Sequence, residues 1–118
     1  MEVAKMEAFA NEWLQGWNQR DLEAILSHYT EDVEFHSPLV VKVLDETSGT
    51  VRGKQNLQDY FGKVLAAFPG NLDLELLGVF LGVDSIVVHF QAKGGTAAEV
   101  MELNQEGKIR RAMAHGRA

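Results

Sequence analysis

Residues Trp13–Pro38 read WLQGWNQRDLEAILSHYTEDVEFHSP, and their order decides the fold. The stretch begins on the tryptophan-rich end of a helix. Met6, Phe9, Ala10, Trp13 and Trp17 recur at intervals of three and four, the stripe of an amphipathic helix. Gly16 and Asn18 weaken that helix, and a polar break follows at Asn18-Gln19-Arg20-Asp21. Asp21 is placed to cap a second helix running through His28. Val33-Glu34-Phe35-His36-Ser37 then alternates apolar and polar, the pattern of a half-buried strand. Pro38 ends it, because proline has no N–H for a sheet ladder.

Downstream, residues 39–52 carry no decisive period apart from a turn at Ser48-Gly49. Leu57, Tyr60, Phe61, Val64, Leu65 and Phe68 form a third helical stripe, which Pro69-Gly70 terminates. The remainder reads as strands. Leu72, Leu74 and Leu76 alternate with acids, and Gly82-Val83-Asp84 turns into a strand over Ile86–Lys93. Gly94-Gly95 is a hairpin signal, Thr96–Asn104 follows it, and Glu106-Gly107 turns into Ile109–His115. Helices first and an antiparallel meander after them predict one α+β domain over residues 1–118.

Composition narrows the function classes. The chain has 118 residues, of which 46% are apolar, so one domain with a real core is expected. It has no cysteine, which removes disulfides and thiolate metal sites and fits a reducing cytoplasm. MEVAKMEAF carries acids and no apolar run, so no signal peptide is read there. No apolar run is long enough to span a bilayer, so no membrane partner is expected. Net charge is −6 and the eleven Lys and Arg are scattered, which argues against nucleic acid. No metal constellation, Gly-x-Gly-x-x-Gly or P-loop occurs, so neither metal nor cofactor is expected.

The hairpins sort the strand residues into two faces. A Gly94-Gly95 loop pairs Lys93 with Thr96 and Phe90 with Glu99. One face then carries Ile86, Val88, Phe90 and Ala92 with Ala97, Glu99, Met101 and Leu103. The other carries Val87, His89 and Gln91 with Ala98, Val100 and Glu102. A two-residue Glu106-Gly107 loop adds Arg110, Ala112, Ala114 and Gly116 to the first face, and Arg111, Met113 and His115 to the second. A three-residue loop would swap these last sets. The first face is the expected lining under the helices, and its small residues leave volume for a cavity. The second mixes apolar and charged residues, as a subunit interface does.

The series Trp-Asn-x-x-Asp-Leu, short helix, Asp-Val-x-Phe-x-Ser-Pro, then Arg-Gly-x-x-x-Leu opening a helix before four strands, resembles the SnoaL-like and ketosteroid-isomerase-like branch of the NTF2-like superfamily. The resemblance covers nearly the whole chain. It implies a cone-shaped barrel in which a curved, mostly antiparallel sheet wraps N-terminal helices around an apolar pocket. It also implies homodimers through the outer sheet face. Three positions carry over from the isomerase pattern. The helix tyrosine, an oxyanion donor, falls on Trp13; the general-base aspartate falls on Ser37; the second oxyanion donor, a protonated aspartate, falls on Glu99. A serine cannot abstract a carbon-bound proton near neutral pH, so steroid isomerisation by that mechanism is not expected.

Glu99 is the sharpest candidate for catalysis. A carboxyl on an apolar face loses hydration and holds its proton more tightly, which suits an acid or a base. The competing reading pairs it with an arginine such as Arg110. Trp13 offers one indole N–H and an aromatic wall, or is simply core. Ser37 is a rim hydroxyl, or only a polar strand end. His36 is a candidate base, but alternation sends it with Glu34 to the face away from Val33 and Phe35; a bulge near Pro38 would reverse this. Trp17, Phe35, Tyr60, Phe61 and Val64 are expected pocket-lining residues. So are Val88, Phe90, Met101, Ala112 and Ala114. The expected occupant is a small hydrophobic molecule bearing a carbonyl. Two functions remain open: cofactor-independent proton transfer of the isomerase, cyclase or dehydratase type, and non-catalytic ligand binding in an accessory domain.

Overall fold

The computed structural model describes residues 2–117. Helix α1 spans Val3–Asn18 and α2 spans Leu22–Leu26. Strand β1 (Tyr29–His36) leads into α3 (Pro38–Leu44), β2 (Thr50–Arg52) and α4 (Lys54–Ala67). Strands β3 (Glu75–Leu81), β4 (Ser85–Ala92), β5 (Gly95–Leu103) and β6 (Ile109–Gly116) complete the chain.

The predicted helical stripes are buried at most of their positions, although Phe68, at the end of the α4 stripe, is exposed. Met6, Ala10, Trp13, Leu14 and Trp17 of α1 are buried, as are Leu57, Tyr60 and Phe61 of α4. Asp21 caps α2 by accepting from Ala24 N–H at 3.1 Å, which satisfies an end donor that the helix cannot. Gly16 has a packing reason. A Cβ there would meet Ile25 Cγ1 at 3.4 Å, so α2 crosses α1 where a side chain is missing. Ser37 does more than end a strand. It caps α3, its Oγ accepting from Leu39 N–H at 3.1 Å, with Pro38 opening the helix as its fixed φ allows.

Six strands form one sheet in the order β2-β1-β6-β5-β4-β3. Neighbours are antiparallel except β1 and β6, which run parallel. The sheet does not close into a barrel, since β2 and β3 are left as its edges. No helix among the described residues is long and apolar enough to cross a membrane.

One register expectation and one loop length are corrected. The β4–β5 turn is Lys93-Gly94, with Ala92 opposite Gly95, so Glu99 faces Val88 and not Phe90. The slip is two residues, which leaves every side chain on its predicted face. After β5 the chain turns over Gln105–Gly107, with Asn104 and Lys108 bonded across the turn. That longer loop would swap the faces, but a bulge at Arg110 restores them. Leu103 faces Ile109, and beyond the bulge Glu102 faces Arg111. Arg110 is therefore not on the inner face, where it was placed from the sequence. It is exposed and bonded to Glu102 at 2.7 Å. The pairing of Glu99 with Arg110 does not occur.

Candidate functional site

A cavity of about 500 Å³ opens between the inner sheet face and helices α1 and α4. Its volume lies in the range of small-molecule sites. Trp13 and Trp17 contribute from α1, and Tyr60, Phe61 and Val64 from α4. Tyr29, Phe35 and Ser37 contribute from β1, and Phe90, Glu99 and Ala114 from the central strands. Exposed lining residues mark the mouth. They are Phe68, Pro69 and Asn71 after α4, and Lys93 and Gly94 of the β4–β5 turn.

Glu99 is 5% exposed, and its Oε2 has no hydrogen-bond partner among the described residues. Burial pushes its carboxyl up to about 8. At neutral pH it is mainly protonated, able to donate one hydrogen bond and accept others. It faces Val88 on one neighbouring strand and Ala114 on the other. The alanine leaves space where a larger side chain would close the cavity.

Tyr29 is the residue that sequence reasoning missed. It is 2% exposed and lines the cavity. Trp13 Nε1–H donates to Tyr29 Oη at 3.1 Å. The indole N–H is thus engaged inside the protein, and the phenol keeps its own hydrogen for another acceptor. Burial, and then the charge of Glu99, raise the Tyr29 phenol well above its usual value. Tyr60 is raised to about 12 by burial, with the Ser37 hydroxyl pulling against this and the charge of Glu99 adding to it. Two phenols therefore share the electrostatic environment of one carboxyl. Tyr29 shares a buried face with Val33 and Phe35, but a bulge between them makes parity no guide to it. The acids at Glu31 and Asp32 hid it, because they make the strand look as if it begins at Val33. Tyr29 lies opposite Ile109 and Glu34 opposite Arg111, so a bulge between them carries the exposed acids.

The other candidates separate clearly. Ser37 lines the cavity while capping α3. His36 does not line it. Its Nε2 contacts Glu34 Oε2 at 2.7 Å and its Nδ1 contacts Thr50 Oγ1 at 3.0 Å, on the outer face. Alternation from the inward Phe35 puts it there. Val88, Met101 and Ala112 are also absent from the lining. Each is fully buried, because core side chains fill the space above them. Trp17 lines the cavity and packs edge-to-face on Phe61 at 4.8 Å, and its Nε1 has no hydrogen-bond partner among the described residues.

The polar break in the opening stretch shapes the mouth. Asn18 Nδ2 donates to Leu74 O at 2.9 Å and its Oδ1 accepts from Leu74 N–H at 2.8 Å. Arg20 donates to the carbonyls of Leu65, Phe68 and Gly70. These bonds satisfy carbonyls at the end of α4 and pin the segment that rims the cavity. Among the described residues no cluster of three or more His, Cys, Asp or Glu could hold a metal ion.

Comparison with known proteins follows the same lines. The sequence profile of the SnoaL-like domain matches residues 10–114. A SnoaL-like protein of unknown function from Burkholderia thailandensis E264 is 35% identical, with a TM-score of 0.90 over 99% of this chain and 100% of that one. An NTF2-like protein from Anabaena variabilis ATCC 29413 is 19% identical, with a TM-score of 0.74 over 98% of this chain and 90% of that one. The epoxide hydrolase/cyclase-like enzyme SalBIII, of pyran ring formation in the polyether salinomycin, is 20% identical, with a TM-score of 0.70 over 95% and 90%. The last two likenesses concern the fold alone. No curated protein matches the chain. A family profile over most of the sequence and a relative similar over its full length agree: the chain belongs to the SnoaL-like domain family.

Proposed function

We propose that this chain, one domain throughout, binds a small apolar carbonyl compound in the cavity and moves a proton on it without a cofactor. The observation that carries this reading is Glu99: a buried carboxyl on the cavity wall with an unpartnered oxygen, in a lining that also carries the phenols of Tyr29 and Tyr60. A carboxyl raised to about 8 is a useful base once ionised and a hydrogen-bond donor before that. In the step that fits, the Glu99 carboxylate takes a proton from the carbon beside the carbonyl. The C–H electron pair moves to form the enolate, and the Tyr29 hydroxyl donates to the enolate oxygen. Returning the proton to another carbon gives isomerisation; loss of a leaving group gives elimination. The role first given to Trp13, donor to the oxyanion, passes to Tyr29, which Trp13 holds in place.

A second reading rests on Ser37. It occupies the position implied for the base and its hydroxyl caps α3, so the cavity has one carboxylate where the isomerase pattern has two acids. Non-catalytic binding would leave Glu99 only to orient the ligand. Deuterium exchange at the α-carbon of tetralone, followed by NMR beside a thermal-shift titration, separates the readings. Wild type is expected to bind and to accelerate exchange, whereas Glu99→Gln binds without acceleration. Binding without acceleration by wild type sinks catalysis and leaves the binding domain. No binding to either protein sinks the cavity reading.

We also propose a homodimer through the outer sheet face. Phe80, Val87, Val100 and Met113 lie opposite one another across four strands of that face, and Phe80 is 63% exposed. Light scattering that gives a monomer mass at micromolar concentration would exclude it.

A further inference from the structure

We propose that Lys93 holds the anionic end of the ligand, so that the occupant is an apolar carboxylate whose acid stays at the mouth while its body fills the cavity. This rests on the cavity reading above and adds the ligand class. The ionisable residues of the lining are Tyr29, Tyr60, Glu99 and Lys93, and Lys93 alone among them is a cation. It sits in the β4–β5 turn, beside the segment that leads into β3. Its Nζ reaches 3.6 Å to the Oδ2 of Asp73, the residue that the β3–β4 register brings beside it.

That pair is weak. Both side chains are about two-thirds exposed, 64% and 66%, and exposed pairs are worth little. A ligand carboxylate can replace Asp73 at small cost. The mouth itself is fixed, because Asn18 and Arg20 pin the backbone on either side of Asp73. An approaching acid therefore meets a cation at a set place.

The interior decides where the acid must stop. An ionised carboxylate loses too much hydration to enter the apolar interior, so it remains at the rim. Glu99, mainly neutral at neutral pH, adds little repulsion from within. The chain carries a net charge of −6, which disfavours anions on average. Lys93, the one cation of the lining, is then what admits an acid, and it imposes one orientation.

The test compares naphthoate, naphthylacetate and naphthylpropionate with their methyl esters, by calorimetry at neutral pH and low salt. The three spacers bracket the distance from the apolar body to the rim. For the best of them, wild type should prefer acid to ester by roughly 3–10-fold, a preference that falls as salt screens it. Lys93→Met should bring the ratio to about one, and Asp73→Asn should raise it. Lys5→Met, which removes the same charge far from the mouth, should leave it unchanged. Equal affinity for acid and ester in wild type overturns the proposal, as does an equal loss in the Lys5 and Lys93 variants. If neither acids nor esters bind, the cavity reading itself has failed.

Discussion

On the inner face of the sheet, Glu99 is 5% exposed, keeps an oxygen without a partner and holds its proton up to about 8. On the outer face, Glu34 touches His36, accepts from Arg52 and Arg111, and is held down to about 2. The hydrogen bond from His36 is the largest cause of that depression, ahead of the two arginines and against some desolvation. Glu102, three residues from Glu99 on β5, belongs to the outer pattern, bonded to Arg110 and Arg111. The same side chain thus serves two chemistries, and the face it stands on decides which. Outside, solvent and arginines stabilise the charge. Inside, Glu99 is nearly shut off from solvent and no arginine is bonded to it, so the proton stays and the group becomes available to a ligand.

The contrast can be broken first at Glu99. Its folded value of about 8 stands above the usual 4.5, so between these pH values the unfolded chain binds fewer protons than the folded one. Stability should fall as pH rises through that window, by roughly 3–5 kcal/mol from this group. Glu99→Gln should remove that loss. Urea unfolding of both proteins at about pH 5 and about pH 8 measures the difference directly. Equal losses in the two proteins would mean that Glu99 is hydrated.

The next effect concerns the bond that holds Tyr29. Trp13→Phe deletes the N–H that reaches Oη and trims the cavity wall, which should cost about 2–4 kcal/mol. Tyr29→Phe removes only the hydroxyl and leaves the indole N–H unpaired, at about 1–3 kcal/mol. A double-mutant cycle from denaturant unfolding should show coupling. Additive losses would break the assignment of Tyr29 as a held donor.

The smallest effect is expected outside. Glu34→Gln should change stability at neutral pH less than Trp13→Phe does, since exposed ion pairs contribute little. Its signature lies in acid. A carboxylate depressed to about 2 supplies stability that is present above 4.5 and lost as pH falls through that window. The acid-unfolding curve of Glu34→Gln should therefore be shallower. An unchanged curve would place the acid sensitivity on other carboxylates.

Much of this contrast was legible before any coordinates. Alternation put Glu99 on the face of Ile86, Val88 and Phe90, and put Glu34 and His36 on the other. The hairpin register was misplaced by two residues, and the faces survived because side chains alternate with period two. The β5–β6 register also survived, through a longer loop and a compensating bulge. Tyr29 was not legible in the same way. A strand that bulges around Glu31 and Asp32 breaks the local pattern, and only the pairing with Ile109 shows where it resumes. Val88, Met101 and Ala112 share the inner face but not the cavity, because the face alone does not say how far the covering core side chains reach.

By itself the sequence determined the main helices and strands outside residues 39–52, which sides of the strands face inward, and that a single carboxyl stands among the inward residues of the central hairpin. Those are local properties, written in periods of two and of three to four residues. The tertiary structure decided that Glu99 has no partner, that Trp13 reaches Tyr29, and that Asn18 and Arg20 hold the mouth to which Lys93 belongs. Each depends on residues far apart in the chain, such as Asn18 and Leu74, whose meeting is set by the packing of α1 against the sheet rather than by any spacing in the sequence.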